Sequence, residues 1–152
     1  MRKVLRIALA ATLAGAMSGV ALIATGGAAW AAGTCNTAYT FRTDYGSATV
    51  TVYVPSTGST AASTTCNMGQ GAQSNAVKTL QRTLNNCYYE SLSVDGIFGA
   101  NTKAALKRAQ TSEEMSGSEV DGVYGPITRD HLMHYTSLGG HACKYWNGPG
   151  GS

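Results

Sequence analysis

The sequence predicts a mainly α chain in which three short helices follow a short β-hairpin arm, the whole stapled by disulfides. Three observations predict it. Hydrophobic periodicity changes from two to helical near Ser74. A thirteen-residue segment occurs twice in register: VDGIFGANTKAAL at 94–106 and VDGVYGPITRDHL at 120–132. Four cysteines stand downstream of an export-type leader.

The leader comes first in the chain. Arg2, Lys3 and Arg6 precede an apolar run over 7–29 that ends in Ala29-Trp30-Ala31, the plan of a secretory signal peptide spanning residues 1–31. The run is long enough to cross a bilayer, so a membrane span is the rival reading. Its Gly, Ala and Thr content and its Ala-x-Ala end favour removal. Removal takes three of the eleven basic residues and leaves eight against eight acidic ones. The mature chain is near neutral, which argues against nucleic acid as a partner and against a membrane surface after processing. Four cysteines in such a chain read as two disulfides with three possible connectivities.

Residues 32–65 form the predicted arm and linker. Tyr39, Phe41 and Thr43 alternate on one side of Asp44-Tyr45-Gly46-Ser47, and Val50, Val52 and Val54 alternate on the other, as in a hairpin. Pro55 is expected to end the second strand, and the Ser/Thr-rich stretch 56–65 to be a flexible linker. Cys35 and Cys66 bracket arm and linker. A bond between them would close the arm on itself; the alternative is that Cys35 ties it to the helical domain, predicted at 66–143. Residues 144–152 read as a flexible Gly-rich tail.

Val77, Leu80 and Leu84 predict a first helix over 76–86 with Ser74 as N-cap. The second is expected over 100–110, with Ala105, Leu106 and Ala109 inward, and the third from Pro126 to about residue 135, with Leu132 and Met133 inward. Gly99 and Gly125 occupy N-cap places, and Pro126 a first helical position where its missing N–H costs nothing. Asp95 and Asp121 precede Gly in tight turns, where the carboxylate accepts the backbone N–H two residues on and Gly takes φ > 0. The repeat therefore reads as turn, anchor, cap and helix, and its duplicated carboxylates need no catalytic role.

Gly69-x-Gly71, Val77-x-x-Leu80-Gln81-x-x-Leu84, Tyr88, Val94-Asp95-Gly96-Ile97-Phe98-Gly99, Thr102, Ala105-Leu106, Gln110, Val120-Asp121-Gly122-Val123-Tyr124-Gly125-Pro126, Thr128 and Leu132 together resemble the peptidoglycan-binding domain family. That family is a three-helix cell-wall-binding module of exported bacterial proteins. The resemblance covers residues 66–135 and implies a secreted or cell-wall-associated protein. The family usually carries Phe where this chain has Ala109 and an aromatic where it has Arg129. Both changes remove apolar bulk and suit a domain that leans on disulfides. Cys87 and Cys143, just after the first and third helices, are candidates for stapling those ends, whereas Cys66 with Cys87 is less natural across an intervening helix.

Catalytic readings fare poorly. His131, His134, His141 and Cys143 match none of the common zinc spacings. His141 with Cys143 lacks the larger domain that a cysteine transpeptidase carries, and no two carboxylates stand as a glycosidase pair. The expected function is non-catalytic and needs no cofactor: binding of peptidoglycan, glycan strand or peptide stem, in a shallow groove at the helix ends and Asp-Gly turns. Gln81, Tyr88, Tyr89, Asn101, Thr102, Tyr124, Thr128 and Arg129 are its candidate ligand residues, with Arg129 suited to stem carboxylates and core packing the competing role for Tyr124. The alternative is a secreted protein-interaction or inhibitor protein acting on a cell-wall enzyme through the hairpin arm.

Overall fold

The computed structural model describes residues 33–147. The expected leader and residues 148–152 of the expected tail lie outside the described residues.

β1 (Gly33–Thr34) lies parallel to β4 (Cys66–Asn67), while β2 (Thr37–Tyr45) and β3 (Ala48–Ser56) form the predicted antiparallel hairpin. Tyr45 pairs with Ala48, so the loop is Gly46-Ser47 alone, and Gly46 supplies the positive φ of 61° that so tight a loop needs. Val50, Val52 and Val54 are buried together, packed by Phe41 and by Trp146, whose ring meets Phe41 edge-on at 5.3 Å. On the outer edge of β3, the Ser137 N–H donates to the Thr51 carbonyl at 2.8 Å and Val52 bridges Thr136. Pro55 does not end β3, which runs on to Ser56. By alternation with Thr51, the backbone of Pro55 faces away from β2, and no ladder bond is lost.

The stretch expected to be a flexible linker carries a 3-10 turn over Ala61–Thr64. Short hydroxyl side chains serve the backbone there: Ser56 Oγ donates to the Gly58 carbonyl at 2.8 Å, and Thr64 Oγ1 to that of Ala61 at 2.7 Å.

α1 (Asn75–Cys87) and α2 (Ala100–Ser112) match their sequence patterns, each slightly longer than expected. Ser74 Oγ accepts the Val77 N–H at 3.3 Å, and Val77, Leu80 and Leu84 enter one core with Phe98, Ala105, Leu106, Tyr124 and Leu132. Cys35 and Cys66 are fully buried in the same core and bonded to each other, Cα atoms 5.2 Å apart. The one bond thus closes the arm and anchors it to the helices.

The mainly α expectation is corrected: 34% of the described residues are helical and 29% are in strands or bridges. A three-helix bundle does not form, because α3 (Pro126–His131) is only six residues long. Leu132 turns to extended backbone, and the chain continues as β5 (Met133–Tyr135), antiparallel to β6 (Cys143–Tyr145). Two side chains favour this early stop. The His134 ring Nε2–H donates at 3.0 Å to the Arg129 carbonyl, left over at the helix end, and the Met133 N–H donates to Tyr88 Oη at 2.7 Å. Leu132 is buried as expected, but Met133 only partly. Cys87 is bonded to Cys143, which holds β6 against the end of α1.

Candidate functional site

Each Asp-Gly turn is built the same way. Asp95 Oδ1 accepts the Ile97 N–H at 2.8 Å, and Asp121 Oδ1 accepts the Val123 N–H at 2.8 Å. Gly96 and Gly122 have φ of 83° and 71°. A buried glutamine from the preceding helix then clamps each turn. Gln81 Oε1 accepts the Gly96 N–H at 2.9 Å, while its Nε2 donates to Asp95 Oδ1 at 2.8 Å and to the Ile97 carbonyl at 3.1 Å. Gln110 repeats the pattern with the Gly122 N–H at 2.9 Å, Asp121 Oδ1 at 3.2 Å and the Val123 carbonyl at 3.1 Å. Thr102 and Thr128 close the two networks, each accepting from its glutamine and donating to the same carbonyl. The backbone N–H on Oε1 fixes which way each amide points.

A cleft of about 310 Å³ opens on the first turn. Its floor is Gln81 and Thr102; Asp95 and Ile97 form one side, Asn101 at the start of α2 another, and Ser91, Leu92 and Ser93 the third. Asn85 holds that third wall by exchanging two 2.8 Å hydrogen bonds with the backbone of Leu92. The Gln81 amide, then the Ile97 N–H, hold the Asp95 carboxyl below its ordinary value, so it is an acceptor at neutral pH. Ile97 is 48% exposed, an apolar surface among polar neighbours. The arrangement offers hydroxyl and amide hydrogen bonds on a rigid frame, with no paired acid and base.

Of the predicted site residues, the structure brings Gln81, Asn101 and Thr102 to this cleft. Gln81 and Thr102 are buried parts of the clamp, which leaves Asn101 as the exposed member. Tyr89 opens the loop that leads to Ser91 and is 75% exposed, with a positive φ of 57° and its ring 4.2 Å from that of His141. Tyr88 is turned inward. Its hydroxyl donates to Glu113 Oε1 at 2.7 Å and accepts from Met133, and burial, with the Glu113 bond, pushes its pKa far up.

The second turn assembles no such set. Tyr124 is fully buried, in line with core packing, and Thr128 is occupied in its clamp. Arg129, expected to meet stem carboxylates, is committed within the fold. Its Nε donates to Asp130 Oδ1 at 2.7 Å, its Nη1 to Thr64 Oγ1 at 2.9 Å, and its guanidinium lies 5.5 Å from the Trp146 ring centre. The residue that departs from the family pattern thus ties α3 to the linker and the C-terminal segment. Ala109, the other departure, is buried in the core that holds the Cys35–Cys66 bond.

The histidines are dispersed in role. His131 contacts the Ile127 carbonyl, His134 is buried, and His141 contacts the Asn86 carbonyl, while Cys143 is bonded to Cys87. Sequence reasoning missed the clamping role of Gln81 and the serine wall. A signal was present: a glutamine in the apolar stripe of both α1 and α2, ahead of each Asp-Gly turn.

Residues 73–132 match the family described as "Putative peptidoglycan binding domain". The matched segment is similar to that family. The matched segment contains both clamps, α1, α2, α3 and the whole lining of the cleft, whereas the hairpin arm and β5–β6 lie outside it. The chain is also similar to an uncharacterized protein in the bpoA1 3′ region of Kitasatospora aureofaciens, 38% identical over 73 residues. That alignment covers 47% of this chain and 59% of the relative, so the chain spans about three fifths of the relative's length. The binding domain and the two disulfides point to an extracytoplasmic location, and no helix among the described residues is long and apolar enough to cross a membrane.

Proposed function

We propose that the protein is exported and holds cell-wall peptidoglycan, as a non-catalytic module, in the cleft at the first Asp-Gly turn. The observation that carries this reading is the clamp-supported cleft itself. Ser91, Ser93, Asn101 and Asp95 present short donors and acceptors matched to sugar hydroxyls and acetamido groups, around the apolar face of Ile97. Gln81 and Thr102 position the turn. Tyr89 adds an exposed ring at the head of the same loop, suited to stacking on a sugar face. The leader predicted at 1–31 and the two disulfides support export.

The test is retention of the oxidised protein on insoluble peptidoglycan. Asn101→Ala and Tyr89→Ala are expected to lose retention at unchanged urea midpoint, while Ile127→Ala, the matching place in the second copy, keeps it. Retention equal in all four proteins would remove the cleft from the proposal. Competition by soluble glycan strands against free stem peptides then assigns the moiety recognised.

A second reading, protein interaction through the hairpin arm, is favoured by the outer edge of β2, which no described strand pairs. Deleting the arm would not test it cleanly, because Cys35 is part of the helical core and the Asn36 carbonyl accepts the Ala76 N–H at 3.4 Å. Substitutions on the edge are the usable probe.

A further inference from the structure

The hairpin has two edges of different character. Thr51 of β3 already exchanges hydrogen bonds with Ser137, its N–H going to Ser137 Oγ at 3.0 Å. The backbone groups of Thr51 therefore point away from β2, and alternation makes those of its partner Arg42, with Ala38, Thr40 and Asp44, point away from β3. Thr40, Arg42 and Asp44 are exposed. This leaves a row of outward N–H and C=O groups along a nine-residue strand, a template for a further strand.

We propose that the occupant of this edge is β2 of a second copy of the chain, joined antiparallel about a two-fold axis at Thr43. Charge selects both the partner and the register. In a symmetric antiparallel pair, outward-facing residues must meet outward-facing residues, so the axis passes through single residues. An axis at Arg42 sets Arg42 against its own copy, and an axis at Asp44 does the same for the carboxylates. An axis at Thr43 pairs Arg42 with Asp44 of the other copy, twice, and on the opposite face pairs Phe41 with Tyr45, twice. Tyr45 is 38% exposed in the single chain, with the Lys144 ammonium 5.4 Å from its ring centre. Opposite charges two residues apart on an edge strand are self-complementary, whereas a strand guarded against pairing carries like charges or proline. The contact is a strand-edge joint of small area, which sets the expectation of a reversible dimer. None of its residues lines the cleft. On the wall-binding reading, the dimer carries two clefts and gains avidity on a polymeric ligand, but the pairing is tested without that ligand.

The experiment is sedimentation velocity of the oxidised protein over a concentration series, with circular dichroism to confirm folding. R42D and D44R are each expected to weaken the dimer roughly tenfold, because each places like charges opposite one another at two points. The double reversal R42D/D44R restores the pairs and is expected to return dimerisation close to the starting level. T43C is expected to give a disulfide-linked dimer with the new bond at residue 43, and T40C, which the register places opposite Gly46, is not. A chain that stays monomeric to millimolar concentration, a double reversal no better than the single ones, or equal cross-linking at 43 and 40 overturns the proposal.

Discussion

The two copies of the Asp-Gly turn share a frame and differ in what surrounds it. Gln81 and Gln110 clamp their turns with the same atoms, at distances that agree within 0.4 Å bond for bond. Around the first clamp stand Ser91, Ser93 and Asn101, and the space between them is a cleft. Around the second, the matching places carry other groups: Ile127, 55% exposed, stands where the first copy has Asn101, and Arg129 is tied to Thr64. Gly125 is packed so closely that an added Cβ would lie 2.6 Å from Asn67 Oδ1, whereas one at Gly99 meets nothing within 4 Å. The two copies thus share a scaffold and differ in the side chains set around it.

The largest expected effect lies in the second half alone. His134 is buried and its pKa is lowered to about 4, chiefly by desolvation, while position 108 in the first copy is an exposed arginine. The unfolded chain therefore binds the extra proton between pH 6.5 and 4, and stability falls as pH drops through that window, by roughly 3 kcal/mol in total. Urea unfolding of the native protein and of His134→Gln across this range checks it; the slope should flatten in the variant.

Gln81→Ala and Gln110→Ala come next. Each strands a buried Gly N–H and leaves a turn carbonyl short of a donor, a cost of about 2 kcal/mol. Equal losses would confirm that the clamps are equivalent, and only Gln81→Ala should also reduce wall retention. Gly125→Ala is expected to cost about 1 kcal/mol more than Gly99→Ala, because the Asn67 side chain must move aside. Comparable losses would erase the asymmetry between the two N-caps. The smallest effect is expected for Tyr124→Phe, which makes the second copy resemble the first at Phe98. The Tyr124 hydroxyl has no partner among the described residues, so the change should stay within about 0.5 kcal/mol of the parent in thermal or urea unfolding.

What was legible in the sequence was local. Ser74, Gly99, Gly125 and Pro126 mark helix starts because caps act within one turn of chain, and Asp95 and Asp121 announce their turns because the carboxylate bonds only two residues away. Period two exposed the hairpin and its Gly46 loop. The rest depends on residues far apart in the chain. The short α3 follows from a bond between His134 and the Arg129 carbonyl and from Tyr88, 45 residues before Met133. Arg129 looked free because Thr64, 65 residues upstream, and Trp146 cannot be placed beside it by spacing. Apolar periodicity continued to residue 135 in α register, and nothing local signalled that Met133–Tyr135 would find a strand partner beyond the Gly139-Gly140 loop.

The disulfide pattern has a mechanical consequence. The two covalent loops, 35–66 and 87–143, follow one another without overlap. Tension applied along the chain is carried past each loop by its sulfur bridge, so the residues inside neither unravel nor lengthen. Between the two bridges, the stretch from Cys66 to Cys87, occupied mainly by α1, is the part that can pay out under load. A protein fixed to a wall that stretches with the cell would therefore yield over one short segment and then stop.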